Sequence, residues 1–229
     1  MSNTLDHLQA EEIAKQLRSP NGPLGKEVAS RMNDSNKQIN HFCIEKITPK
    51  RPSSDSKPTH LLEIGPGNGS FLELILQQLQ TGHYTGLDWS HDMVDLANTL
   101  HDKHIKNNKA RFIQGAAHKL PFEQNSFDII LSVNTLYFWP GIHQTLQELS
   151  RVLKNGSQII LGFADIAFIE SLPFTSYGFQ AYKVETVKQA FQSVGFEKIQ
   201  HTEHKEVGND NTGGTQQKHF HCLSAHLNK

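Results

Sequence analysis

Three stretches near the start of the chain carry apolar residues at helical spacing. From Thr4 to Arg18, Leu5, Leu8, Ile13, Ala14 and Leu17 fall on one face, with Ser2 or Thr4 placed to cap it. The run "SPNGPLG" breaks that helix, and a second is predicted from about Leu24 to Met32. A third runs from Ser35 to Ile47, with Ile39, Phe42, Cys43 and Ile47 on one face. The segment "TPKRPSSDSKPT", Thr48 to Thr59, is dense in proline, serine and charge and reads as an exposed linker. The expected organisation is therefore a helical segment over 1–48, a linker over 49–59 and a main domain over 60–229.

Beyond the linker the period alternates between strand and helix. Strands "HLLEIG", "HYTGLD", "ARFIQG", "FDIILSVN" and "SQIILGF" are interleaved with helices over Ser70–Leu79, His91–His101 and Ile142–Leu153, and a further helix spans Val184–Val194. Such alternation predicts an α/β fold with a parallel sheet covered on both faces. The last two strand-like runs, "FEKIQHTEHKEV" and "KHFHCLSAHL", have no helix between them and should pair as an antiparallel hairpin at the sheet edge. The total is seven strands, mostly parallel.

Where the first strand enters the first helix, the chain reads Glu63-Ile64-Gly65-Pro66-Gly67-Asn68-Gly69. In doubly wound sheets this turn meets a cofactor at the carboxyl edge, and glycines at 65, 67 and 69 leave no Cβ to obstruct one. A tight turn without a ligand is the plainer alternative. Asp88 closes the second strand at the separation from which an acidic side chain reaches ribose hydroxyls, and capping of the following helix is its other use. The loop spacing is G-x-G-x-G rather than the dinucleotide G-x-G-x-x-G, and Glu63 would repel a pyrophosphate. A sulfonium or ammonium group would tolerate that carboxylate.

Composition narrows the partners. The chain has 229 residues, long enough for one sizeable core, and its 22 Lys and Arg nearly balance 23 Asp and Glu. No single-sign field points to nucleic acid or an anionic membrane, so a small-molecule partner is expected, with the protein a monomer or homodimer. Two cysteines without C-x-x-C spacing fit a reducing cytoplasm. The first residues lack the basic and apolar regions of a signal peptide, and no apolar run is long enough to span a bilayer.

The ordered motifs from Leu61 to Leu227 resemble the class I S-adenosylmethionine-dependent methyltransferases, in particular the small-molecule branch labelled methyltransferase type 11. "EIGPGNG" is similar to the glycine-rich first motif and "GLDWSHDMVDLA" to the ribose-binding segment. "QGAAHKLPFEQNSFDIILSVNTLYFW" resembles the adenine loop and fourth strand, and "ELSRVLKNGSQIIL" the helix and strand that follow. The resemblance implies a Rossmann-like fold and S-adenosyl-L-methionine as cofactor. It implies that Asp88 holds the ribose, that Trp89 and Met93 flank adenine, and that Asn134 borders the methyl group. Members commonly carry an acid at the position of Ala116 to bind the adenine amino group; here the Ala116–Ala117 backbone would have to serve, at a cost of about 1 kcal/mol for the lost hydrogen bond. It also implies that the N-terminal helices cover cofactor and substrate as a lid, with the Gly/Pro-punctuated loop of "PNGPLGKEVASRMNDSN" as a hinge and Met32, Asn33 and Asn36 just beyond it. A helical decoration that protects the sheet edge is the plainer alternative.

Methyl transfer from a sulfonium is an in-line displacement that mainly demands alignment and exclusion of water. If a side chain activates the acceptor, Tyr137, His143 and Tyr177 are the candidates. The run Thr135–Trp139 and the insertion "ADIAFIESLPFTSYGFQAY", with Phe168, Phe174, Tyr177 and Phe179, are candidate acceptor walls. His201, His204, His219 and His221 lie on the terminal hairpin, but no carboxylate or thiolate completes a familiar ligand spacing, so no metal is expected. A cofactor-binding regulatory protein without catalysis and a nicotinamide-dependent oxidoreductase are the rival readings.

Overall fold

The computed structural model describes residues 7–49, 58–209 and 215–229. The Ser2 and Thr4 caps, most of the linker and the tip of the hairpin lie outside them. Helices α1 (His7–Arg18), α2 (Gly22–Ser35) and α3 (Lys37–Ile44) come first. The main domain follows as β1 (His60–Ile64), α4 (Leu72–Leu79), β2 (His83–Asp88), α5 (His91–Leu100), α6 (Asp102–Lys106), β3 (Ala110–Gln114), β4 (Phe127–Val133), α7 (Ile142–Val152), β5 (Leu153–Ala164), α8 (Ile166–Ser171), α9 (Val184–Ser193), β6 (Phe196–Asn209) and β7 (Thr215–Leu227). A short 3₁₀ turn, Leu136–Phe138, follows β4.

One seven-stranded sheet has the order β3-β2-β1-β4-β5-β7-β6. The first five strands are parallel, β7 runs antiparallel to β5, and β6 runs antiparallel to β7. Strand order reverses between β1 and β4, so a crevice opens at their carboxyl ends. Every residue of β4 is buried, as a central strand covered on both faces requires. No helix among the described residues is long and apolar enough to cross a membrane.

Several boundaries differ from the sequence expectation. Helix α7 gives way directly to β5 at Leu153, four residues before "SQIILGF", because Phe127 at the start of β4 already pairs with Leu153. The aromatic insertion contains a short helix, α8, whose N-cap Asp165 accepts the Ala167 N–H at 2.8 Å. The chain is anchored at the two described edges of the linker, at Thr48 and Thr59. Thr48 donates through its N–H and its hydroxyl to Gln158 of β5, at 3.1 and 2.9 Å, and the buried Thr59 accepts the His83 N–H at 2.8 Å.

The three N-terminal helices do not behave alike. Ile39, Cys43, Ile44 and Ile47, in and after α3, belong to the main hydrophobic core, and α3 packs on β4, β5 and the terminal hairpin. Cys43 and Cys222, far apart in sequence, meet there as buried free thiols. Helix α1 instead contributes Ala10 and Ala14 to a small separate cluster with Phe174.

Candidate active site

The glycine turn after β1 is shaped by contacts on both sides. Gly65, Gly67 and Gly69 all have positive φ, 74°, 57° and 75°. A Cβ on Gly65 would lie 2.3 Å from the Thr135 methyl, so the chain after β4 can approach only a glycine. Gly67 has open space around it, and its N–H donates to Asp88 Oδ2 at 2.8 Å. Gly69 faces the Phe112 and His101 rings and contributes to packing rather than to the crevice.

Above this turn lies a cavity whose wall includes Glu63, Gly65, Gly67, Asp88, Trp89, Met93, Ala116, Ala117 and Asn134. Those residues come from β1, β2, α5, the loop after β3 and the loop after β4, and the sheet brings every proposed cofactor contact except Gly69 to one space. Asp88 is nearly buried. Its Oδ1 accepts the Ser90 N–H at 2.8 Å, so both oxygens are oriented by backbone amides while retaining free lone pairs. Burial raises its pKa, and the amides at Ser90 and Gly67 oppose the rise. The cap of α5 is Ser90, which accepts the Met93 N–H, so Asp88 is not spent on that task.

Glu63 is buried and accepts the Tyr84 hydroxyl at 2.5 Å. Burial pushes its pKa up to about 7; the Tyr84 hydrogen bond opposes the rise and the nearby Asp88 adds to it. Trp89 is 52% exposed at the cavity mouth, where its ring offers a face to a planar ligand. At the third side, the loop of Ala116 is closed by the Lys119 N–H donating to the Ala116 carbonyl at 3.0 Å.

The N-terminal segment roofs this cavity. Leu17, Arg18, Pro20, Met32, Asn33, Asn36 and Asn40 line it from above. The Gly22 N–H donates to Asp92 at 2.8 Å and the Ser90 hydroxyl to the Pro20 carbonyl at 2.5 Å. Asn33 donates to the Asn68 side chain in the glycine turn, and the Asn134 amide donates to Asn36, both at 3.1 Å. Arg18, Pro20, Asn40 and Phe71 had no motif to mark them; only the fold brings them to the wall.

The three candidate activating groups lie off that wall. The buried Tyr137 hydroxyl accepts the Ala164 N–H and donates to Asn134 Oδ1 at 3.0 Å, and burial raises its pKa. It therefore positions Asn134, which holds a left-handed φ of 55° at the end of β4. His143 is exposed and bonded to Ser193 of α9 at 3.1 Å, and Tyr177 packs beside the α1 cluster. Phe174 and Phe179 also pack there, and Phe179 contacts Phe138 with ring centroids 4.7 Å apart; Phe168 lies near Phe220. The insertion thus backs the wall, whereas Thr135, Phe138, Trp139 and Pro140 form it. The Trp139 indole N–H is buried with no hydrogen-bond partner among the described residues.

Comparison with known proteins agrees with this geometry. Residues 62–161 match the family described as "Methyltransferase domain". A fatty-acid O-methyltransferase of Mycolicibacterium smegmatis is 28% identical over 123 residues, covering 54% of this chain and 43% of that protein. Phthiotriol/phenolphthiotriol dimycocerosates methyltransferase 1 of Mycobacterium ulcerans is 31% identical over 100 residues, covering 44% of this chain and 35% of that protein. The chain thus aligns with less than half the length of either relative. Among solved structures, a chain of the Haloferax volcanii complex containing the Trm112 methyltransferase activator superposes with a TM-score of 0.73 at 17% identity, covering 96% of this chain and 98% of that one. Geranyl diphosphate C-methyltransferase of Streptomyces coelicolor, in complex with Mg²⁺, geranyl diphosphate and S-adenosyl-L-homocysteine, superposes with a TM-score of 0.67 at 11% identity, covering 93% of this chain and 87% of that one. At these identities the likeness establishes the Rossmann-like fold.

Proposed function

We propose that this chain, whose residues 62–161 belong to the methyltransferase domain family, moves a methyl group from S-adenosylmethionine to a small-molecule acceptor with an apolar body. The observation that carries the reading is the single cavity wall joining the glycine turn, the two buried carboxylates and the roof of α1 and α2. When bound, the cofactor supplies a methyl group on a sulfonium. Asp88 accepts from the vicinal ribose hydroxyls with lone pairs left over by Gly67 and Ser90. Glu63 faces the cationic end of the ligand, Trp89 and Met93 flank adenine, and the Ala116–Ala117 backbone takes the place of the acid found in other members. Gly65 lets the turn sit against Thr135, and Gly67 leaves the approach open.

Asn134, held by Tyr137 and Asn36, fixes the border between cofactor and acceptor. Phe71, Phe138, Trp139, Met32 and Leu17 give the acceptor an apolar surface, and the unpartnered Trp139 N–H offers one donor to an acceptor oxygen. The fatty-acid and phthiotriol methyltransferases among the relatives support an acceptor of lipid-like character. Closure of the roof excludes water from the displacement. Calorimetric titration with S-adenosylmethionine, S-adenosylhomocysteine and NAD tests the cofactor assignment: saturable binding of the first two without NAD is expected, and binding of NAD alone would overturn it. Turnover against medium-chain and long-chain fatty acids and hydroxylated lipids tests the acceptor; cofactor binding without turnover on any acceptor would favour the regulatory reading.

A further inference from the structure

The terminal hairpin carries histidines that the cavity does not use. On one face of the β6–β7 ladder lie His201, Glu203, His219 and His221, since Glu203 pairs with His221 in register and alternate residues share a face. The sequence offers these imidazoles without a partnering carboxylate from elsewhere in the chain. The fold supplies one: Asp165, at the end of β5 and 56 residues from His221 in sequence, places its Oδ2 3.1 Å from His221 Nε2. The junction is fixed by the backbone, because the Asp165 N–H donates to the His219 carbonyl at 2.8 Å.

We propose that Asp165, His219 and His221 form a binding site for a first-row transition-metal dication, with Glu203 beside it as a further oxygen ligand. One donor atom from each of the first three lies within 4.8 Å of the others, a spread that small side-chain rotations close onto an ion about 2.1 Å from each donor. Glu203 Oε2 is 3.2 Å from His219 Nε2. Two imidazoles and one or two carboxylates suit zinc-like ions rather than magnesium or calcium, which prefer all-oxygen sets.

The hydrogen bonding around His221 accommodates the change of tautomer that ligation requires. His221 is 3% exposed and has a partner at each ring nitrogen, Asp165 at Nε2 and His201 Nε2 at 3.0 Å from Nδ1. Without metal, the Nε2 proton points to Asp165 and His201 donates to Nδ1. With metal, the Nε2 proton leaves to solvent and Nε2 ligates. The His201 Nε2 proton passes to His221 Nδ1 and His201 takes a proton from solvent at its own Nδ1, so both rings stay neutral and the Nδ1–H of His221 donates to His201. Both states keep the two nitrogens of His221 paired, and His201 becomes the supporting partner that fixes the ligating tautomer. Asp165 retains its other oxygen for the Ala167 N–H, so ligation leaves the α8 cap in place. Asp165, His219 and Glu203 are all partly exposed, which gives an ion a path in.

The cluster stands apart from the cofactor cavity, and its test does not depend on methyl transfer. The full chain, stripped with a chelator, is titrated with Zn²⁺ by calorimetry and with Co²⁺ by visible absorption. One ion per chain is expected, with a ligand-field band for Co²⁺. Asp165→Asn, which preserves a cap acceptor, and His219→Gln, on the partly exposed strand, should each weaken Zn²⁺ binding at least about tenfold, whereas the exposed His91→Gln should leave it unchanged. Circular dichroism checks that each variant is folded. Absence of saturable binding to the wild-type chain, or equal affinity in both cluster variants and wild type, overturns the assignment.

Discussion

The two halves of the cavity are built on different principles. The floor is held by short-range backbone architecture: Gly67 and Asp88 are bonded 21 residues apart, across adjacent parallel strands whose carboxyl ends fix both. The roof and acceptor border are held by contacts between segments far apart in the chain, as in the Gly22 N–H with Asp92, 70 residues apart, and Asn36 with Asn134, 98 residues apart. A floor on strand ends is rigid and can be specified by a local motif. A roof on helices joined by a few such hydrogen bonds can open, and its residues can change without disturbing the sheet.

Variants on the two sides should separate these behaviours. The largest effect belongs to the floor: Asp88→Ala should weaken S-adenosylmethionine binding about 100-fold, or roughly 2.7 kcal/mol, because hydrogen bonds to a charged acceptor are lost. Calorimetry measures it, and unchanged affinity in a folded variant would remove Asp88 from the ribose. Tyr137→Phe comes next and acts on the border. It leaves the buried Ala164 N–H unpaired, so a cost of about 2 kcal/mol and a fall in Tm of about 4–8 °C are expected, with cofactor affinity within about twofold of wild type. A matching loss of cofactor affinity would mean that floor and border are one unit.

The pH dependence sharpens the role of Glu63. Its folded pKa of about 7 lies above the ordinary value of 4.5, so the ligand-free protein is stabilised below pH 4.5 by this group and loses that contribution as pH rises through 7. A cationic ligand favours the ionised form, so affinity should move the other way, falling by up to about tenfold per pH unit as pH drops below 7. Glu63→Gln should flatten the profile; a wild-type profile already flat would place the ligand's cation elsewhere. The smallest expected effect is on the roof. Asn36→Ala removes one half-buried amide bond worth about 1 kcal/mol, and should raise the cofactor off-rate several-fold in stopped-flow measurements while lowering Tm by no more than about 2–4 °C.

The same contrast explains what could be read from the amino-acid order. Strand periodicity, the glycine turn and Asp88 are local signals; they place the sheet, and the turn and Asp88 do meet on one cavity wall. Periodicity marks the α3 face with Ile39 and Cys43, but not that this face packs on β4, β5 and the hairpin, which lie far away in sequence. Arg18, Pro20 and Phe71 reach the cavity only through the packing of whole helices. Tyr137 sat in a suggestive aromatic run, yet which of those rings would face a ligand is decided by the 3₁₀ turn, and that turn points its hydroxyl at Asn134 and Ala164. Asp165 was invisible as a histidine partner for the same reason.

Strands β6 and β7 remain paired well past the point where β5 ends: β5 meets β7 only from Gln158–His226 to Ala164–Phe220, while the hairpin continues to Asn209–Thr215. On that overhang Lys218 donates to the Ser35 hydroxyl at 2.8 Å, and at its base His204 contacts Gln38 at 3.2 Å. The hairpin thus ties down the junction between α2 and α3 through side chains that lie off the cavity wall. A nick or a bulky tag in the hairpin, with no atom near the ligand, would register as a shorter ligand residence time.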